Sequence, residues 1–395
     1  MGRILFTWEQ GGGLGHLFAL KSVAEVLLTR GHQVHLASCQ PQQAKNVFTG
    51  LNVTIRPTPC MQKRFPRRID PTFSMVDILH NIGFGDAGVL EGLAGEWRNM
   101  LSEFEPDLVL HDFSPTAMLA GRGLDFPTVL LGNGFCCPAA DSPMRPFETP
   151  WCGPTGLLET ERFILKNANT VMQQIGAPRL GCLSELYRGH DAIFLMTFPE
   201  FDPYCPRNEG EYCGVWTMPV GAAPRWPDGS GRRAFVYVGQ FDAIGQLLGI
   251  LRKTGWSMLV FAPYLADNAK RKYESASLRF AAGPVNLIET LAQADLTIAS
   301  GTTTAEQSLL SGTPVLRIPM HAEQLYTGLK AATTGASVVI SPPNEARFTE
   351  ALAAMTSSGD YTQAAKRFAE DHADFDPLDQ IARIADRIDT IVHSR

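Results

Sequence analysis

Residues 3–38 read RILFTWEQGGGLGHLFALKSVAEVLLTRGHQVHLAS. RILFTW (3–8) is a short apolar run of strand type. LFALKSVAEVLLTR (17–30) puts Leu17, Leu20, Ala24, Leu27 and Leu28 on one helical face, and Gly31 ends the helix. QVHLAS then resumes as a strand. Strand, glycine turn, helix and strand in that order form the repeating unit of a parallel sheet covered by helices.

The same alternation runs outward from this segment. Further strands are legible at 107–112, 127–132 and 191–197, and the proline- and aromatic-bearing stretches 56–75 and 133–155 have the composition of pocket walls. Periodicity breaks at GAAPRWPDGSGRR, 221–233, and then restarts. AFVYV, a helix near 243–253, SMLVFA, LRFAA, DLTIA, a helix after Thr303, PVLRI and ASVVI make a second doubly wound domain. The last helix carries Leu378, Ile381, Ile384 and Ile388 on one stripe. The expected layout is therefore an N-terminal domain over 1–220, a linker over 221–233, a C-terminal domain over 234–377, and a helix over 378–395 that packs back on the N-terminal domain.

Composition agrees with two cores. The chain has 395 residues, 45% of them hydrophobic, which exceeds what one core serves. Its net charge of −6 comes from 40 acidic and 34 basic residues spread along the chain, giving no field to hold nucleic acid. There is no apolar run of the roughly 18 residues that span a bilayer, MGRILFTW lacks the regions of a signal peptide, and Phe6 breaks the myristoylation pattern. A cytoplasmic protein is expected. The eight cysteines form no CxxC pair and have no partnering histidines, which argues for reduced, mostly buried thiols and against a zinc site.

The glycine turn invites comparison with a dinucleotide-binding fingerprint, and fails it. Counted from Gly11, the third fingerprint position is His16, and the second strand ends in Ser38 and Cys39 where a ribose-binding acid belongs. Chemistry at His16 is the better use of the turn. It sits after the first strand at a helix start, where the positive end favours a neutral imidazole that accepts a proton. Asp112, at the end of DLVLHD, can orient it as general-base chemistry requires. A helix-capping His16 and a turn-forming Asp112 fit the same residues. In the second half, ASGTTTAEQ places Gly301 and three threonines at a helix start. Free amides there bind anions such as a pyrophosphate, although threonines also cap helices for structural reasons.

Taken together, these segments resemble the inverting family-one glycosyltransferases of the GT-B fold, the UDP- and macrolide-glycosyltransferase type. The family opens with a strand, a glycine turn, a histidine and a helix leading to "rGHeV", matched here by ILFTWEQGGGLGHLFAL and TRGHQVHLAS, and then has an aspartate as in LVLHDF. Its donor segment is similar to RFAAGPVNLIETLAQADLTIASGTTTAEQSLLSGTPVLRIPMHAEQLYTGLKAATTGASVVIS. The resemblance implies two Rossmann-like domains facing across a cleft and a metal-independent hexosyltransferase that needs no cofactor beyond its nucleotide-sugar co-substrate. It also implies His16 as the base for an acceptor hydroxyl and Asp112 as its orienting acid. Gly301, Thr303 and Thr304 then fall at phosphate-binding positions, Gly283 to Val285 where the backbone meets the base, and Glu323 and Gln324 at the sugar contacts. Gly15, Gln240 and His321 join these as donor-site residues.

Three departures bear on the donor. The family's pyrophosphate-contacting histidine falls on Ala299, its ribose-binding glutamate on Gln307 with Glu306 one residue early, and its sugar-binding aspartate on Glu323. Glutamine hydrogen-bonds a ribose without the strength of a charged acceptor, so the nucleotide and sugar stay open. For the acceptor, Phe135, Phe147 and Trp151, with Met144, offer an apolar lining, and Lys63, Arg64, Arg67 and Arg68 form a basic loop. That loop suits an anionic acceptor or a lipid-linked one at a membrane surface, or a solvated loop with no ligand. His32 and His35 read as packing or surface residues, and His111 points to the sheet face opposite Asp112. A nucleotide-sugar epimerase or hydrolase, or a non-catalytic nucleotide-sugar-binding protein, are the competing functions.

Overall fold

The computed structural model describes residues 1–12, 14–61, 64–150, 156–217, 220–228 and 231–394. The first half runs β1 (Arg3–Trp8), α1 (Leu14–Thr29), β2 (Gln33–Ser38), α2 (Pro41–Val47), β3 (Val53–Pro57), α3 (Met75–Leu79), α4 (Ala87–Phe104), β4 (Leu108–Asp112), α5 (Pro115–Gly121), β5 (Thr128–Gly132), α6 (Leu157–Gln174), β6 (Ala192–Leu195) and β7 (Glu211–Tyr212). The second half runs β8 (Arg233–Tyr237), α7 (Ile244–Thr254), β9 (Ser257–Val260), α8 (Asp267–Tyr273), β10 (Leu278–Phe280), α9 (Leu287–Ala292), β11 (Leu296–Ala299), α10 (Thr302–Leu310), β12 (Val315–Arg317), α11 (Ala322–Ala332), β13 (Ser337–Val339), α12 (Glu345–Ser357), α13 (Asp360–Asp371) and α14 (Pro377–His393).

Two parallel sheets result. The first has seven strands in the order β3-β2-β1-β4-β5-β6-β7, and the second has six in the order β10-β9-β8-β11-β12-β13. Both reverse direction at their first strand, the doubly wound pattern whose ligand crevice opens at the carboxyl ends of the strands flanking the reversal. Buried apolar runs explain the central strands: in β1, Ile4, Phe6 and Trp8 are all fully buried, as are Leu108, Val109 and Leu110 in β4. β3 was not evident in the sequence because it is a half-exposed edge strand, VTIRP.

The chain divides into two compact units. Unit 1 comprises Met1–Thr197, Tyr204–Gly214 and Asp376–Arg395, and unit 2 comprises Phe198–Pro203 and Val215–Phe375. The division falls before the expected linker, for two reasons. Phe198 and Phe201 pack with Phe368 in the core of unit 2. Ala222 is bridged to Val285, donating to the Pro284 carbonyl at 3.0 Å while its own carbonyl accepts from Asn286 at 2.8 Å. The start of 221–233 is thus a built part of unit 2.

α14 completes unit 1. Asp376 caps it by accepting from the Leu378 amide at 2.8 Å, and Ile381, Ile384, Ile388 and Ile391 are buried. Leu378, expected on the same stripe, is 61% exposed. Arg30 donates to Asp386 and Asp389 at 2.7 and 2.5 Å, and His32 Nε2 lies 2.5 Å from Asp389. No described helix is long and apolar enough to cross a membrane.

Candidate functional site

β1 and β4 are neighbours, with Trp8 the register partner of Asp112. His16 projects from the first turn of α1, and its Nδ1 lies 2.9 and 2.8 Å from the two carboxylate oxygens of Asp112. Asp112 is fully buried and the His16 side chain is 11% exposed. An Nδ1–H donated to the carboxylate makes Nε2 the basic nitrogen of the neutral ring. The Trp8 indole stacks on the imidazole with centroids 5.3 Å apart, fixing its plane. Gly11 has φ +95°, and a Cβ there would stand 2.9 Å from His16 Nε2. The glycine is therefore required twice, by the backbone and by the space beside Nε2.

One residue of this region is not singled out by sequence reasoning. Glu9, immediately after β1, is 3% exposed. Its carboxylate accepts from the amides of Thr116 and Ala117 at 3.1 and 2.6 Å and from the Thr116 hydroxyl at 2.7 Å, all at the start of α5. Burial pushes its pKa up to about 7, against those hydrogen bonds, which pull it down. A lone acid ending an apolar strand is the only signal the sequence carries for it.

In unit 2 the loops after β8, β11 and β12 meet. The Gly239 amide donates to Ser300 Oγ at 3.1 Å, and a Cβ on Gly239 would touch Met320. Gly301 is the N-cap of α10, with no side-chain cap, and Thr302, Thr303 and Thr304 form its first turn. A Cβ on Gly301 would meet only Thr304 Oγ1, at 3.9 Å, so the fold does not require the glycine. Thr302 and Thr304 are buried and Thr303 is half-buried. Glu323, on α11, accepts from Thr302 Oγ1 at 3.3 Å. Gln324 turns its side-chain carbonyl to the Met320 amide at 2.8 Å, closing the loop that holds exposed His321. Gln240 is exposed.

Gln307 is half-buried, whereas Glu306 is 1% exposed and faces the buried Arg317, whose pKa burial lowers to about 10 against the opposing charges of Glu306 and Glu323. Glu306 is thus spent on a core cation. Gly283 and Val285 are half-buried on the bridge to Ala222. Gly15 belongs to unit 1, exposed on the first turn of α1.

Phe135 and Phe147 are each 3% exposed and stack on one another at 5.0 Å, so they anchor their loop. Trp151 and Lys63 lie outside the described residues. Arg64, Arg67 and Arg68 are exposed, with Arg64 3.7 Å from Asp70. His111 is buried with Nδ1 2.9 Å from Thr7 Oγ1, and burial next to His190 holds its pKa well below the usual value. Among the described residues, no group of three or more His, Cys, Asp or Glu is placed to hold a metal ion.

Two doubly wound α/β units in one chain, each with polar groups gathered where its strand order reverses, define the GT-B fold. The particular likenesses are to solved glycosyltransferases. CalG4, the calicheamicin glycosyltransferase, is similar with a TM-score of 0.72 at 17% identity, over 99% of this chain and 98% of its own. Spinosyn rhamnosyltransferase SpnG complexed with thymidine diphosphate gives 0.63 at 17% identity, over 97% and 100%. SnogD from Streptomyces nogalater gives 0.62 at 18%, over 97% and 98%. No family model and no curated protein sequence matches the chain.

Proposed function

We propose that this chain is an inverting, metal-independent glycosyltransferase of the hexosyl type. The observation that carries the reading is the pairing of His16 Nδ1 with buried Asp112, which makes Nε2 a base beside a turn cleared by Gly11. Nε2 takes the proton of an acceptor hydroxyl as its oxygen attacks the anomeric carbon. The bond from that carbon to the diphosphate oxygen breaks, its electron pair leaves with the nucleotide diphosphate, and the configuration inverts. The Asp112 carboxylate, hydrogen-bonded to Nδ1, stabilises the imidazolium.

The donor fits unit 2. The glycine-headed start of α10 offers the amides of Thr302, Thr303 and Thr304 to a pyrophosphate, and carries the charge of the leaving group without a metal. Val285 is the base-facing backbone, Gln307 and Gln240 the ribose contacts, and Glu323, Gln324 and His321 the sugar contacts. Because the SpnG structure holds thymidine diphosphate, a thymidine diphosphate sugar is the first donor to try, ahead of a uridine one. The acceptor is a hydroxylated small molecule such as an aglycone, with a lipid-linked acceptor at a membrane surface the second choice, and the reaction runs in the cytoplasm.

His16→Ala tests the reading. Transfer is expected to fall about a thousandfold or more while thymidine diphosphate still stabilises the variant in a thermal-shift assay. Transfer near the wild-type rate would remove the base from His16. Free sugar or an epimer formed by the wild type without any acceptor would instead point to a hydrolase or epimerase.

A further inference from the structure

We propose that Glu9 is a positioning residue for the His16–Asp112 pair, tying the start of the glycine turn to the first turn of α5 and so setting how the two strand ends present their side chains. The inference rests on the function proposed above for that pair. β1 and β4 deliver Trp8 and Asp112 side by side, but each strand is followed at once by an irregular turn. After β1 comes the glycine run leading to His16. After β4 comes Phe113 with φ +41°, a left-handed conformation that a phenylalanine holds only when its surroundings insist.

Glu9 bridges the two turns. Its carboxylate takes three hydrogen bonds from Thr116 and Ala117, four and five positions beyond Asp112. The natural cap of α5 is occupied elsewhere: Ser114 stands at the N-cap but donates its hydroxyl to the Asp112 carbonyl at 3.0 Å. Glu9 thus caps α5 from the neighbouring strand. The network is closed behind it, since the Trp97 indole donates to Thr116 Oγ1 at 3.0 Å and directs the hydroxyl proton to Glu9.

The titratable groups that sense Glu9 are Cys39, Cys60 and Tyr187. Burial pushes all three up, Cys39 to about 12, so they are neutral at neutral pH and the carboxyl group is held by amide, hydroxyl and indole dipoles. A buried carboxylate is a costly way to cap one short helix, when a serine or asparagine would serve. Its reach across two turns is what a local cap cannot supply.

Glu9→Gln keeps the size of the side chain but turns an amide NH2 toward one of the three donors. The test reads the tautomer of His16 by ring nitrogen–proton correlation spectra at pH 8, with His16→Ala assigning the signals. The expected result is an Nδ1–H to Nε2–H ratio lowered about tenfold in the variant, with kcat for transfer down about tenfold and KM for the donor within about twofold. An unchanged ratio, with only a lower melting temperature, would make Glu9 a structural cap and overturn the proposal. Thr116→Val, which removes one bond and keeps the volume, should shift the ratio in the same direction by less. Should Glu9→Gln fail to fold, an unchanged ratio in Thr116→Val overturns the proposal by itself. The tautomer needs no substrate, so a wild type that transfers no sugar would sink the glycosyltransferase reading separately from this one.

Discussion

The two sheets share an arrangement around their central strands, β2-β1-β4-β5 in unit 1 and β9-β8-β11-β12 in unit 2, yet the helix after the fourth strand is finished differently in each. In unit 1 the first amides of α5 are covered by Glu9, a carboxylate from the loop after the first strand. In unit 2 the N-cap of α10 is Gly301, which has no side chain to cap with, and the three residues after the first strand, Val238-Gly239-Gln240, carry no acid, the first one being Asp242 next to α7. Every helix start asks for negative charge. One topology therefore yields a turn tied by the chain's own buried carboxyl group and a turn headed by a glycine, and under the proposed function the first holds a base still and the second receives a phosphate.

Four experiments probe that contrast. The largest effect is expected from Asp112→Asn, which leaves the imidazole without its orienting charge: transfer falls about 10³- to 10⁴-fold, while thymidine diphosphate binding, which the proposed function assigns to unit 2, is unaltered by calorimetry. Next is Gly301→Asp, which puts a carboxylate at the N-cap position of α10. Gly301 has φ −69° and ψ 138°, an extended conformation an N-cap aspartate adopts, so the melting temperature should hold or rise. Thymidine diphosphate affinity should drop at least about tenfold. Unchanged affinity would mean that α10 does not receive the phosphates.

The third effect is one of pH. The folded state holds a proton on Glu9 up to about 7, whereas the ordinary carboxyl value is 4.5. Folding stability is then greatest below the lower value and declines as pH rises through the upper one, by up to about 3 kcal/mol. Urea unfolding at pH 5 and pH 8 should show this loss in the wild type and not in Glu9→Gln. The smallest effect belongs to Asp389→Asn, about 1 kcal/mol near pH 7. Burial raises the Asp389 carboxyl, but hydrogen bonds from His32 and Arg30 outweigh it and hold the group below its usual range. That contribution is present above the usual carboxylate range and disappears as pH falls through the lowered value. It should weaken unit 1 and leave the nucleotide-dependent shift of unit 2 alone.

Much of the alternation was legible because buried parallel strands are continuous apolar runs. β1, β2, β4, β5 and β8 through β13 fall on the runs read from composition, while edge strand β3, half exposed and ending in Arg56 and Pro57, has no such signature. His16 and Asp112 could be placed because a turn and a strand end carry them to a known edge of a doubly wound sheet. Glu9 could not, since its partners are backbone amides more than a hundred residues away. Glu306 and Gln307 differ by one helical step of about 100°, and only packing decides which faces Arg317. That Phe135 and Phe147 stack on one another is likewise set by packing and not by their spacing in the chain.

The return of α14 to unit 1 has a temporal side. A chain emerging from the ribosome releases nearly all of unit 2, Val215–Phe375, before Pro377–His393, the residues that pack on α1. The domain begun first is therefore the one sealed last, with the α1 face bare until Ile381, Ile384, Ile388 and Ile391 arrive. For a nascent chain, that interval is when unit 1 is most exposed to association with other chains.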